Sequence, residues 1–349
     1  MTSCAATHRE QTWPHQTVNG LARLSVLLML AITAVMPAWA DGGRVRISRQ
    51  PGFVYLPMVL IEQRKLIENH AKAAGLDDVS VEWLNLTSGS AANDALLSGN
   101  IDIINSGITS MLLLNDRTRG DVKGLCGVGG TPMLLVTRNP GVKTIADFTA
   151  NDRIAVPSVK ISTQAVLLQI AAKKAFGPGG VNRLDPFTVQ LGHPDAVAAL
   201  SSPMNEVNSH FSLPPFQQRE LKNPAIHTVL NSFELIGAPL SNAILYARSA
   251  WYTKNPKLAA AIVAALDEAN ASIVDKPLEA ARDYIAATNE KITPEELVEI
   301  LKEPGVVFST TPYGVMLQAN HFYETGVIKT QPKSWKDYFF PISHNYSGT

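Results

Sequence analysis

From residue 45 to residue 105 the chain alternates short apolar runs with segments of helical spacing, and this limits it to few architectures. Residues 45–48 read as a strand ending at Arg49-Gln50-Pro51-Gly52; 58–72 follow as a helix, 79–84 as a strand, 91–97 as a helix and 101–105 as a third strand. Strands and helices in this order predict a mainly parallel sheet with helices on both faces. The loops leaving the carboxyl ends of such strands gather on one edge. Here those loops are 50–55, 87–90 and 106–110, which supply Gly, Ser and Thr.

The pattern then starts again. Residues 133–137 form a strand candidate, Asn139-Pro140-Gly141 a turn, and 153–156 open a second strand–helix series whose later members are 189–191, 194–200 and 207–211. Gly237-Ala238-Pro239 marks a return, and 243–247 read as a strand going back to the first unit. The expected division is therefore a first lobe over 41–137, a second over 138–238, and a return to the first lobe with C-terminal helices over 239–349. Three of those helices, 256–274, 277–287 and 294–301, have proline near the start; a fourth covers 313–324.

Residues 1–40 are expected to stay outside the fold. Arg9 and Arg23 precede an apolar run over 24–35, and Ala38-Trp39-Ala40 supplies a small-x-small cleavage pattern before Asp41. This predicts a signal peptide cleaved near Ala40 and a periplasmic product. Lys plus Arg total 30 and Asp plus Glu 30, so no basic excess points to nucleic acid. No second apolar run is long enough for membrane insertion. Of the two cysteines, Cys4 lies ahead of the apolar run, leaving Cys126 without a partner for an internal disulfide.

The stretch 153–176 offers the clearest chemistry. A strand feeds through Ser158 and Ser162-Thr163 into a helix, which places free backbone N–H groups beside hydroxyls and suits a small anion. An ordinary N-cap that binds nothing has the same signature. Phe53 and Tyr55 could form an apolar wall with one phenolic hydroxyl, or Phe53 could plug the sheet edge. The histidines after residue 40 are His70, His193, His210, His227, His321 and His344, and none belongs to an HxH or HExxH pair. GxSxG and GxGxxG are absent as well. No metal, cofactor or catalytic residue is therefore expected, although triads assemble in space and a hydrolytic enzyme using the cleft remains an alternative.

The run Leu86-Thr87-Ser88-Gly89-Ser90-Ala91 to Ala95-Leu96-Leu97-Ser98-Gly99-Asn100-Ile101-Asp102 resembles the signature of periplasmic substrate-binding proteins of ABC importers, in the nitrate/sulfonate/taurine branch. The likeness extends through Leu135-Val136-Thr137-Arg138, Ile145-Ala146-Asp147-Phe148, Asn255-Pro256-Lys257 and Ser334-Trp335-Lys336-Asp337. It implies a two-lobed type II binding-protein fold, a monomer that is not an enzyme, and a small-molecule substrate passed to an ABC transporter permease. Carried onto this chain, it implies ligand contacts from Phe53, Tyr55, Ser88, Gly107, Thr109, Ser162 and Thr163. Taurine receptors of the family carry an acidic residue after a tryptophan in the second lobe. The matching region here, Asn208-Ser209-His210-Phe211-Ser212-Leu213-Pro214-Pro215-Phe216, has neither, which disfavours taurine. His210, Phe211 and Phe216 instead suggest a larger, less polar pocket for an aliphatic or aromatic sulfonate or carboxylate. A neutral pyrimidine-like ring is the alternative, since Phe and Tyr also stack on rings.

Overall fold

The computed structural model describes residues 1–2 and 43–349 apart from residue 87. The expected leader and the cleavage position near Ala40 lie outside the described residues, as does Thr87 of the 87–90 loop. Residues 43–349 form one compact unit. Within it lie two sheets.

The first sheet contains β1 (Arg44–Arg49), β2 (Ser80–Asn85), β3 (Ile103–Ser106), β4 (Val122–Gly130), β10 (Ala243–Arg248) and β11 (Val307–Phe308), in the order β2-β1-β3-β10-β4-β11. The second contains β5 (Leu134–Thr137), β6 (Ile154–Val156), β7 (Thr188–Gln190), β8 (Ser209–Ser212) and β9 (His227–Asn231), in the order β7-β6-β8-β5-β9. The two orders are the same pattern. In each, three strands in local order 2-1-3 run parallel, and the strand that arrives from the other lobe lies antiparallel beside the third. Parallel pairing thus holds where strand and helix alternate. The sheets are mixed because β10 and β5 enter by crossings rather than by a strand–helix–strand path.

The chain changes sheet between Gly130 and Leu134 and again between Ile236 and Ala243. The first crossing falls one strand earlier than residue 138, because β5 pairs with β8 and β9 rather than with any strand of the first sheet. Periodicity marks a strand but does not name its neighbours.

Side-chain alternation divides the first sheet's burial between two faces. Ile103 and Leu245 point to a core shared with helices α1 (Leu56–Arg64) and α10 (Pro256–Asp275). Ile104, Ile244 and Tyr246 point the other way, towards α4 (Ile108–Arg117) and α13 (Val315–Glu324). In the second lobe Leu135, Ile154, Val156 and Phe211 pack against α5 (Thr163–Phe176). Helix α5 is apolar on two sides: Leu167 and Leu168 enter the second-lobe core while Val166 enters a first-lobe core. It is therefore packed between the lobes.

The Gly127-Val128-Gly129-Gly130 run is the end of β4, where backbones crowd. A Cβ on Gly130 would lie 2.0 Å from the carbonyl oxygen of Leu240 in the returning segment. Gly130→Ala is expected to destabilise the protein by about 1–3 kcal/mol, as overpacking does. Gly179→Ala, where a Cβ meets nothing within 4 Å, should stay within about 0.5 kcal/mol of wild type. Urea denaturation of both variants checks this; equal midpoints would contradict the crowding.

Candidate functional site

Helices start where strands of both sheets end, and four of these starts face one cleft between the lobes. They belong to α3 (Gly89–Leu97), α4, α5 and α6 (His193–Ser201), which contribute Gly89, Gly107, Thr163 and His193 to its wall. The first-turn N–H groups of a helix have no carbonyl four residues back to bond. Each start carries the positive end of the helix dipole as well. Ser88 and Ser162 cap α3 and α5 by accepting from the N–H of Ala91 and Ala165, each at 3.3 Å. Those bonds use the serine lone pairs and leave the hydroxyl protons free to be donated.

The lobes meet across this cleft through neutral groups. Phe53 N–H donates to the carbonyl of Pro214 at 2.8 Å, Ser90 Oγ lies 2.9 Å from Ser158 Oγ, and Thr109 Oγ1 lies 3.5 Å from Thr163 Oγ1. Gly107 is needed at that last approach, since a Cβ there would sit 2.9 Å from Thr163 Oγ1. The enclosed space is about 50 Å³. No Asp, Glu, Lys or Arg is among the described residues that line it. Lys160, the basic residue of the 158–163 loop, is exposed and outside the lining. Tyr55 brings its hydroxyl to Gln50 Oε1 at 3.3 Å, and burial pushes its pKa up, so it stays neutral. Gln50 in turn donates from Nε2 to the carbonyl of Asn105 at 3.2 Å.

A larger depression, about 350 Å³, opens on the other side of the Gln50–Gly52 turn. It is lined by Arg49, Glu62, Tyr284 and Glu290, all from the first lobe, and none of the four helix starts reaches it. The smaller cleft is where both lobes contribute.

Of the residues expected at the site, the structure gathers Tyr55, Gly107, Thr109, Ser162 and Thr163 on the cleft wall. Ser88 is buried behind Gly89 as the α3 cap. Phe53 is fully buried, edge-on to Tyr284 at 5.5 Å and Phe308 at 5.9 Å. Phe211 is fully buried in the second-lobe core. His210 is also fully buried, one layer behind the wall. In front of it stands His193, which sequence reasoning passed over for want of a motif. The sequence does hold a signal, Gly192-His193-Pro194 directly after a strand, a helix start in the same setting as Ser162-Thr163. Gln50, Gln164 and Asn242 also line the cleft and have no local sequence signature.

His193 lies at the head of a buried polar chain. Its Nε2 is 3.3 Å from Gln164 Nε2, its Nδ1 is 2.9 Å from His210 Nε2, and His210 Nδ1 is 2.6 Å from Glu220 Oε1. The His193 ring stacks on Phe216 with centroids 5.6 Å apart. Burial, and secondarily the neighbouring His210, hold the His193 pKa well below 6.5. The unfolded chain takes up a proton here near pH 6.5 and the folded chain does not, so stability falls as pH drops below that value. His321, lowered chiefly by burial, acts in the same direction. His193→Gln should flatten the stability curve between about pH 6.5 and pH 5 by up to roughly 1.4 kcal/mol per pH unit. Urea titrations at several pH values measure it; an unchanged slope would contradict the assignment.

No protein-family model matches the chain, and no curated protein matches it. Solved structures do. The periplasmic aliphatic sulphonate binding protein SsuA from Escherichia coli aligns with a TM-score of 0.63 at 18% identity, over 85% of this chain and 98% of that one. The alkanesulfonate-binding protein SsuA from Xanthomonas axonopodis pv. citri, bound to MOPS, gives 0.65 at 17% identity, over 83% and 95%. The periplasmic nitrate-binding protein NrtA from Synechocystis PCC 6803 gives 0.60 at 15% identity, over 85% and 84%. At these identities the likeness is one of fold, and the chain has the two-lobed α/β architecture of these periplasmic binding proteins.

Proposed function

We propose that this chain is an extracytoplasmic solute receptor that binds a small organic anion, a sulfonate or carboxylate, between its lobes and hands it to an ABC permease. The observation that carries the reading is a cleft with four helix starts on its wall and no charged side chain among the described residues that line it. Backbone amides and hydroxyls there can hold negative charge without a counter-ion, which suits capture followed by release. Ser162, Thr163, Thr109 and Tyr55 supply hydroxyls, and Gly107 lets the two lobes approach. The fold likeness to sulfonate- and nitrate-binding proteins supports the same class of ligand. The leader-like residues ahead of Asp41 support export, with cleavage near Ala40. A receptor of this kind works as a monomer and returns its ligand unchanged.

Titration calorimetry with ethanesulfonate, propanoate and the uncharged ethyl methyl sulfone tests the reading. Ser162→Ala removes one donor to a charged ligand and should weaken anion binding by about one to two powers of ten. The fold should survive, because losing an N-cap side chain costs about 1 kcal/mol. Equal affinity for the sulfone and the anions, with no effect of Ser162→Ala on either, would overturn the anion reading. Chemical conversion of the ligand on prolonged incubation would overturn the receptor reading.

A further inference from the structure

The buried chain behind the cleft wall bears on what the ligand must offer. Glu220 is 2% exposed, and its Oε2 has no hydrogen-bond partner. Its Oε1 is 2.6 Å from His210 Nδ1; a carboxylate oxygen accepts, so that ring nitrogen donates. A neutral His210 has no second proton, so its bare Nε2 faces His193 Nδ1 at 2.9 Å and the proton in that contact belongs to His193. A neutral His193 has only one N–H, so its Nε2 keeps a lone pair. Gln164 agrees: its amide nitrogen, a donor, faces that Nε2. Every bond in the chain points the same way, from the cleft towards Glu220.

We propose that the cleft selects an oxyanion that brings a hydrogen-bond donor of its own, an O–H or N–H on or beside the charged head, which His193 Nε2 accepts. The claim rests on the anion reading above. Helix starts, serines and threonines offer donors to the charge, whereas His193 offers an acceptor among them. The Gln164–His193 contact, at 3.3 Å, is longer than usual for a hydrogen bond to nitrogen. It is the bond a ligand donor can replace, after which the Gln164 amide turns its N–H to the anion. An anion with no donor would set its lone pairs against the lone pair of Nε2. Other charges near the ring are accounted for. On the helix that carries Phe216 (Phe216–Leu221), Arg219 pairs with Glu290 and Glu220 meets His210; on α6 itself Asp195 is exposed; β6 brings only Ile154, Ala155 and Val156.

The test uses isosteric pairs that differ in the donor. Methylphosphonate, at a pH where it is the monoanion, is compared with methanesulfonate, and 2-hydroxyethanesulfonate with propanesulfonate. In at least one pair the donor-bearing member should bind about tenfold or more tightly, as sites with a buried polar partner reject analogues that leave it unpaired. Glu220→Gln can meet His210 Nδ1 with an amide N–H as well as with an amide oxygen, so the chain is free to reverse and make His193 Nε2–H a donor to a donor-free anion; the preference should shrink or invert. Nitrogen NMR of histidine-labelled wild type supplies a reading that needs no variant to fold, with His193 Nε2 expected unprotonated. Equal or tighter binding of both donor-free anions, a protonated Nε2 in wild type, or a preference unchanged in folded Glu220→Gln would overturn the inference while leaving the anion reading intact. Binding of ethyl methyl sulfone with none of the four anions would instead remove the anion reading itself.

Discussion

The burial of helix α5 on two sides is the constraint on which the cleft depends. Val166 sits in a core of the first lobe while Leu167 and Leu168 sit in the core of the second. Each such side chain contributes about 1.5–3 kcal/mol when fully buried. The helix therefore has little freedom to rotate, and its first residue is set 3.5 Å from Thr109 of the opposite lobe. From that placement follow the others: Ser158 against Ser90, and Gly107 against Thr163.

Closure is also held at a distance from the cleft. Lys173 of α5 pairs with Glu324, and His321 Nε2 lies 2.9 Å from Gln169 Oε1. On the other flank Arg219 pairs with Glu290 and Lys222 with Glu296. The Lys173 and Lys222 pairs are largely exposed, so each is worth at most about 1 kcal/mol. Weak pairs at the rim and neutral hydroxyl contacts inside make a closed form that a small ligand can tip by mass action. A cleft held shut by buried ion pairs would open reluctantly.

The sequence carried much of this. Strand–helix alternation with a restart at Arg153 is enough to infer two lobes, and Ser162-Thr163 after a strand marks a helix start that does face the cleft. Other features lay beyond its reach for physical reasons. β5 reads as a strand, but its neighbours β8 and β9 lie more than sixty residues away in the chain, and pairing over that span leaves no local trace. His210 carries no mark that distinguishes a wall residue from one a layer behind it; only the packing of α6 over β8 places His193 in front. Phe53 and Phe211 are aromatic and follow or sit in strands of the expected kind, yet both turn into cores. An apolar ring serves a core as readily as a pocket, and composition does not separate the two.

In the proposed reading, negative charge in the cleft is met by helix starts and hydroxyls rather than by a cationic side chain. A crystal structure grown with methylphosphonate or ethanesulfonate tests it most directly. The head group is expected between the starts of α3, α4, α5 and α6, with its oxygens within hydrogen-bond distance of Thr163 and Thr109 hydroxyls or first-turn amides. A head group seated instead against Arg49 on the far side of the Gln50–Gly52 turn, with the interlobe cleft holding only water, would contradict it.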